Sequence, residues 1–352
     1  MAFTSNETPV EETVENAPTQ VTEGSTRIEA DPNAGDETDD DGYGTTSDAG
    51  SSASTSISSS VRDYEFENNR RYHKFQEGRY SFPNDDIEQE REDMKHAMIL
   101  NLCKGKLHYA PLKNPQNILD IGTGTGIWSI DMGDEYPNAA ITGIDLSPIQ
   151  PSWLPPNVKF LVDDAEAEWL FPDNSLDYVH IRHMTAAIRD WPTLLSRAYK
   201  ALKPGGWIEM QEMKFQIQCD DGTLRDDNQV VEYLRVVTKG LAAFNVDLLS
   251  MRHNLDRVKE ASFVNAAERT FKLPVGAWPR DQNLRTVGLY NRSIFADGFQ
   301  GIAMRPCTQG LGWSAEDVEL FLVGVRKSLF DTKQHIYVPF HIVTAQKPEK
   351  SL

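Results

Sequence analysis

The sequence predicts an α/β fold built on a mostly parallel sheet, with a disordered N-terminal tail, an N-terminal helical lead-in and a helical insertion. Three observations carry that reading. Short apolar runs alternate with helical stretches between residues 117 and 212, which is the rhythm of a parallel sheet. The first run ends in the loop Gly122-Thr123-Gly124-Thr125-Gly126, where glycine lets a strand-to-helix turn approach a ligand closely. After residue 220 the alternation gives way to a helical repeat, and strand-like runs return only at 262–273 and 335–345.

The elements follow in order. Residues 1–60 hold thirteen Asp or Glu against one base, Arg27, and seven of the last ten are serine. Such a stretch buries too little apolar surface to offset the entropy of ordering it. Residues 61–113 bring back aromatic and charged side chains and read as a helical extension. Its helix runs from 85 to about 104, capped by Asp85 or Asp86, with Ile87, Met94, Met98 and Leu102 along one face.

The main domain spans 114–348. Strands are expected at 117–121, 140–144, 158–162, 176–181 and 207–212, with helices at 126–135 and 191–202. Pro137 stops the first helix, and Lys203-Pro204-Gly205-Gly206 ends the second. Val230, Leu234, Val237, Leu241 and Phe244 repeat at helical steps and mark an insertion at about 220–260. Ser314 and Asp317 open a last helix carrying Val318, Phe321, Val325 and Leu329. The chain has no internal repeats.

Charge and cysteine usage exclude several classes. The net charge is -18, but beyond residue 60 there are 40 acidic and 34 basic side chains, so the folded part is nearly balanced. Direct DNA binding is therefore not expected, because phosphate contacts dominate such affinity. Cys103, Cys219 and Cys307 lie too far apart for a disulfide framework or a paired metal motif. There is no run of eighteen apolar residues to span a membrane. With no secretory or mitochondrial signal at the N-terminus, an intracellular protein of the nucleus, the cytoplasm or both is expected.

The informative segment is Leu119-Asp120-Ile121 followed by the glycine loop. Asp145 closes the next strand, 23 residues after Gly122, where a carboxylate can accept hydrogen bonds from a ribose diol. Two ligands compete. A dinucleotide site would read G-x-G-x-x-G, whereas these glycines run G-x-G-x-G. Asp120, two positions before the first glycine, suits a cationic ligand better than a pyrophosphate. S-adenosylmethionine has an amino group, a sulfonium, a ribose and an adenine, and no phosphate. Asp164, after the third strand, is placed to receive the adenine amino group.

The segment LDIGTGTGIWSIDMGDEYPNAAITGIDLSPIQPSWLPPNVKF resembles the class I methyltransferases, which have a seven-stranded, Rossmann-like sheet. More narrowly, the chain resembles the LaeA-like fungal methyltransferases linked to secondary metabolism and development. RYSFPNDDIEQERED, DYVHIRHM, DWPTLLSRAYKALKPGGWIEMQE, KLPVGAWPRD and LGWSAEDVE carry that likeness over about residues 70–347. The resemblance implies Gly122, Thr123, Gly124 and Gly126 against the methionine part of S-adenosylmethionine. It also implies Asp145 and Leu146 at the ribose, Asp164 and Ala165 at the adenine, and Asp120 toward the amino group. Tyr80 would cover the cofactor from the N-terminal side, and His180 would complete the set. The sequence departs from the family at Ala261-Ser262-Phe263, where relatives commonly read Ala-Gly-Phe.

Methyl transfer from a sulfonium needs alignment and exclusion of water more than acid–base chemistry. A base serves only an acceptor that must lose a proton. His180, His183, Glu209 and Glu212 lie past the fourth and fifth strands, with His183 and Glu212 the catalytic candidates and Arg182 a wall residue. The two histidines lack a third partner at metal-binding spacing, so no metal is expected. The helix at 230–244 and the stretch to about 255 read as either a lid over the acceptor or simple packing on the sheet. The resemblance implies a regulatory methyltransferase acting in a velvet-type protein complex. The alternative is a biosynthetic enzyme methylating an O, N or C atom of a small metabolite.

Overall fold

Apolar runs shielded on both faces belong at the centre of a sheet, and the chain places them there. The computed structural model describes residues 20–21, 27–32, 64–68, 70–76 and 80–349. It begins with β1 (Gln20–Val21), β2 (Tyr64–Glu67), β3 (Arg70–His73) and α1 (Asp86–Leu102). The alternating part holds β4 (Asn117–Ile121), α2 (Ile127–Glu135), β5 (Ala140–Asp145), β6 (Val158–Val162), β7 (Leu176–Arg182), α3 (Trp191–Ala201) and β8 (Leu202–Met213). The remainder comprises β9 (Gln218–Cys219), α4 (Gln229–Ala242), α5 (Asn254–Glu260), β10 (Val264–Pro274), α6 (Gln282–Arg305), α7 (Ala315–Leu329) and β11 (Ile336–Gln346).

The central sheet runs β10-β11-β8-β7-β4-β5-β6, with β1 outside β10 and β9 beside β11. Strands β4 to β8 pair in parallel, and β11 runs antiparallel to both neighbours. The expected seven-stranded, mostly parallel sheet is thus the core of the molecule. Chain order reverses between β4 and β7, and such a reversal opens a crevice at the carboxyl ends of the strands.

Helices α1, α4, α6 and α7 form a cap over one face, toward β10 and β11. Val230, Tyr233, Leu234, Val237 and Leu241 of α4 join Val318, Leu322, Val325 and Leu329 of α7 in one apolar cluster with Leu273, Val338 and Phe340. The expected insertion at 220–260 was therefore too narrow, because α6 and α7 complete the cap. Helix α6 is masked in sequence by Gly288, Gly298 and Gly301. A Cβ at Gly288 would meet the Gly276 carbonyl oxygen at 2.1 Å, and one at Gly301 would meet the Arg70 guanidinium at 2.6 Å. Those glycines permit close packing at a cost in helix propensity.

Three further expectations are corrected. The extension at 61–113 starts with the β2–β3 hairpin rather than a helix, and Arg305 holds it by pairing with Glu65 and Glu67 and lying over the Tyr72 ring. On α1, Ile87 is 55 % exposed, while Glu88, Arg91, Lys95, Met98 and Leu102 are buried. The inward face is half charged because those charges pair with one another. Within the expected disordered tail, residues 27–32 lie on the body. Asp31 N–H donates to the Trp278 carbonyl at 2.8 Å, Arg280 N–H to that of Glu29 at 2.9 Å, and Asp31 pairs with Arg285. Backbone pairing and ion pairs supply what the apolar content lacks. Apart from these residues and β1, the stretch 1–60 lies outside the described residues.

Candidate active site

The glycine loop folds back on its own sheet. Gly122 and Thr123 N–H groups donate to the Ile144 carbonyl at 2.9 and 3.0 Å, and all three glycines have positive φ. Their surroundings differ. A Cβ at Gly126 would meet the Phe160 ring at 2.3 Å, one at Gly122 would meet Met184 Sδ at 2.1 Å, and one at Gly124 would meet nothing within 4 Å. Gly124 thus faces open space, with Gly122 beside it on the cleft wall. Gly126 lines neither the cleft nor the recess beside it; its role is to seat the start of α2 on Phe160.

Beneath the loop, Asp120 is a buried hub. It accepts from Thr123 Oγ1 at 2.7 Å and Ser129 Oγ at 2.8 Å, and pairs with His180 Nδ1 at 2.8 Å. Burial alone would raise the Asp120 carboxyl, but His180 and the two hydroxyls hold it below its ordinary value. His180 stacks on Trp128 with ring centroids 3.6 Å apart. Asp120, Thr123 and His180 border only the inner recess.

The main cleft brings together Tyr80, Asp145, Leu146, Asp164 and Ala165 with Gly122 and Gly124. Asp145 accepts from Gly124 N–H and Ser147 N–H, both at 2.9 Å, and burial pushes its carboxyl up to about 6. Asp164 Oδ1 accepts from Glu166 N–H at 2.8 Å. The 80–84 segment is laid across the cleft through Asn84 Nδ2, which donates to Ser147 Oγ at 3.1 Å.

The inner recess adds a charge that the motif reading left out, Glu92, to the expected wall residue Arg182. Glu92 of α1 and Arg182 at the end of β7 both line it. Burial would raise the Glu92 carboxyl, yet Lys95 and Arg91 bring it down to about 2; Lys95 Nζ is 2.5 Å away. Arg182 donates to His96 Nδ1 at 3.0 Å. A carboxylate and a guanidinium at one recess match the two charged ends of an amino acid. The signal for Glu92 was present in Glu88, Arg91, Glu92 and Lys95, a charged stripe at helical spacing that normally marks a solvated face.

The catalytic candidates separate. His183 follows β7 with φ +56°, a strained conformation for a non-glycine residue. Its N–H donates to the Gln211 carbonyl at 3.0 Å, while its side-chain Nε2 is buried without a partner. Burial, with Lys95 and Arg182 nearby, holds the imidazole well below the ordinary histidine value. Glu212 lines none of these spaces. Its carboxylate accepts from Met184 N–H at 2.8 Å, and burial pushes it up to about 7. It pins the turn that carries His183. Glu209 is likewise occupied, accepting from Tyr109 and Ala110 N–H groups at 2.8 Å each.

A second chamber adjoins the cleft beneath α4 and α6. Tyr80 and His183 line both spaces. Phe82, Tyr233, Leu234, Phe295 and Phe299 make its apolar wall, and Arg91 and Lys95 border it. Its empty volume is about 740 Å³, open mouth included.

The donor set fits S-adenosylmethionine. The open face of Gly124 leaves room for backbone-close binding, Asp145 sits where a ribose diol needs an acceptor, and the recess offers both charges for the amino-acid end. Among known proteins, a family described as "Methyltransferase domain" matches residues 94–260. "Methyltransferase pytC" of Aspergillus terreus is 40 % identical over 300 residues, covering 84 % of this chain and 92 % of its own. "Secondary metabolism regulator LAE1" of Cochliobolus heterostrophus is 33 % identical over 291 residues, covering 81 % and 95 %. "Protein-methionine methyltransferase laeA" of Emericella nidulans is 31 % identical over 286 residues, covering 80 % and 76 %. With relatives at 31–40 % identity covering 80–84 % of it, the chain belongs to the LaeA-like family of S-adenosylmethionine-dependent methyltransferases.

Proposed function

We propose that this methyltransferase acts in secondary metabolism and that its acceptor is a small molecule bound in the chamber beside the cofactor cleft. The observation that carries this reading is the wall of Tyr80 and His183 common to both spaces. It gives an acceptor a dry approach to the methyl group. Bound S-adenosylmethionine supplies a methyl on a positively charged sulfur that departs as a neutral thioether. Asp145 holds the ribose, Asp164 and Ala165 border the adenine, and Glu92 with Arg182 fix the amino-acid end. Tyr80 covers the junction and excludes water, which together with alignment is most of what this reaction needs.

A second reading has its own support. Relatives named as secondary metabolism regulators favour a regulatory role with protein partners, of which a velvet-type complex is the one implied by resemblance. The relative named as a protein-methionine methyltransferase favours a side chain as acceptor. The apolar chamber and the 40 % identical pytC favour the small molecule. The test is a partition of label. Purified protein is incubated with methyl-labelled S-adenosylmethionine and fungal extract, and protein is separated from solvent-extractable metabolites. Label in the organic fraction supports the small acceptor. Label in protein, after self-methylation is excluded, turns the assignment to the regulatory role.

A further inference from the structure

The chamber also carries information about what it admits. Its lining holds the guanidinium of Arg91, the ammonium of Lys95, which burial pulls below its ordinary value against the opposing pull of Glu92, and the imidazole of His183, and among the described residues it includes no carboxylate. The acids that pair with those cations, Glu88 and Glu92, border the cofactor cleft instead. Arg91 donates through Nε to Glu88 at 2.8 Å and through Nη2 to Glu92 at 3.3 Å, while Lys95 reaches Glu92 at 2.5 Å. An ammonium has three N–H donors, and Glu92 engages one of them. Apart from the Tyr80 phenol the rest of the wall is apolar, since the Tyr233 hydroxyl is turned to the Phe299 carbonyl at 3.1 Å. Arg91 and Lys95 therefore border the chamber without a carboxylate beside them in its lining, while the acids lie on the cleft side together with Arg182.

Resting on the small-acceptor reading above, we propose that the chamber selects an apolar, aromatic-sized molecule bearing an acidic hydroxyl, such as a phenol, enol or carboxylic acid, with its oxygen between His183 Nε2 and the Lys95 ammonium. The orphaned Nε2 at the wall common to both spaces receives the O–H proton, and Lys95 stabilises the oxygen as it becomes negative. The acceptor oxygen bonds to the methyl carbon as the carbon–sulfur bond breaks. The bonding pair remains on sulfur, and the proton passes to the imidazole. His183 enters as the neutral base, because burial and the nearby charges of Lys95 and Arg182 disfavour its resting protonation. It takes the proton of a phenol or enol only as the oxygen is alkylated, whereas a carboxylic acid arrives already ionised and needs only the Lys95 ammonium. The imidazole is too weak a base for an aliphatic alcohol, and the cationic wall repels an ammonium. An acidic hydroxyl satisfies both conditions.

The test uses the full chain saturated with S-adenosylhomocysteine and four probes of one shape, 2-naphthol, 2-naphthoic acid, its methyl ester and 2-(aminomethyl)naphthalene, with binding measured by calorimetry at neutral pH. Naphthol and naphthoic acid are expected to bind at least about tenfold tighter than the ester and the amine, the worth of one charge-assisted hydrogen bond. Lys95→Met should erase the preference of acid over ester. His183→Gln should lower methyl transfer to naphthol by about 10²-fold or more while naphthol still binds, with S-adenosylhomocysteine binding as the check on folding. Equal binding of all four probes to the unaltered protein overturns the acidic-hydroxyl assignment and leaves the small-acceptor reading standing. Binding of none, with S-adenosylhomocysteine still bound, overturns both.

Discussion

The cofactor cleft and the acceptor chamber share a wall but are built in opposite ways. The cleft is made at successive strand ends by short contiguous segments, and much of its surface is backbone: the open face of Gly124, and the N–H groups of Gly124 and Ser147 that hold Asp145. The chamber is made of side chains from residues 80–95, 183–186, 213–237 and 294–302, brought together only when the cap has packed. One region is written locally. The other exists only as a tertiary object, so each should fail in its own manner.

The largest effect belongs to the common wall. His183→Gln should lower kcat by about 10²-fold or more, the usual contribution of a positioned base, while S-adenosylhomocysteine binding persists in calorimetry. Loss of that binding would show that the wall belongs to the cleft alone. Next, Gly124→Val should weaken S-adenosylhomocysteine by about 10²-fold, because it fills the open face and strains a residue at φ +57°. Naphthol binding should change little. A comparable loss on the acceptor side would mean that the two spaces do not fail separately.

A pH titration sharpens the contrast further. Burial holds the Asp145 carboxyl at about 6, so it gains a proton as pH falls through that value and ceases to be an anionic acceptor for the ribose. Cofactor affinity should therefore decline below about pH 6, by at most about tenfold per unit, and Asp145→Asn should flatten the curve. The smallest effect lies away from both spaces. Ser262 follows α5 with φ +69°, its N–H donates to the Lys259 carbonyl at 2.9 Å, and the Phe263 N–H donates to that of Val258 at 3.0 Å. This is a helix stop that normally calls for glycine. Ser262→Gly should stabilise the fold by roughly 0.5–1 kcal/mol, seen as a rise of a few degrees in Tm without change in either binding reaction.

The same contrast explains what could be read in the sequence. Strands β4 to β8 were legible because strands covered on both faces become apolar runs, and Ile118, Leu119, Tyr178, Val179 and Ile181 are all essentially buried. Asp145, Asp164 and the glycine loop were legible because each stands at a strand end at a fixed spacing. Helix α6 was not, because its glycines answer to Gly276 and Arg70, which are remote in sequence. Nor were Glu92 and Lys95 legible as a site, although Arg182 was placed in its wall. A charged helical stripe looks the same whether water or a partner chain of charges neutralises it, and only packing reveals which. Glu212 was singled out by its place at a strand end, but its carboxylate is engaged by the Met184 N–H.

The wall formed by Tyr80 and His183 has a thermodynamic consequence. Two ligands that touch the same side chains cannot in general bind independently, and the factor by which one alters the affinity of the other must be reciprocal. Whatever an acceptor does to the binding of S-adenosylhomocysteine, S-adenosylhomocysteine does in equal measure to the acceptor. The cofactor can thus report on its neighbour: a shift in its affinity when an extract fraction is added would reveal an occupant of the chamber before any methyl group has moved.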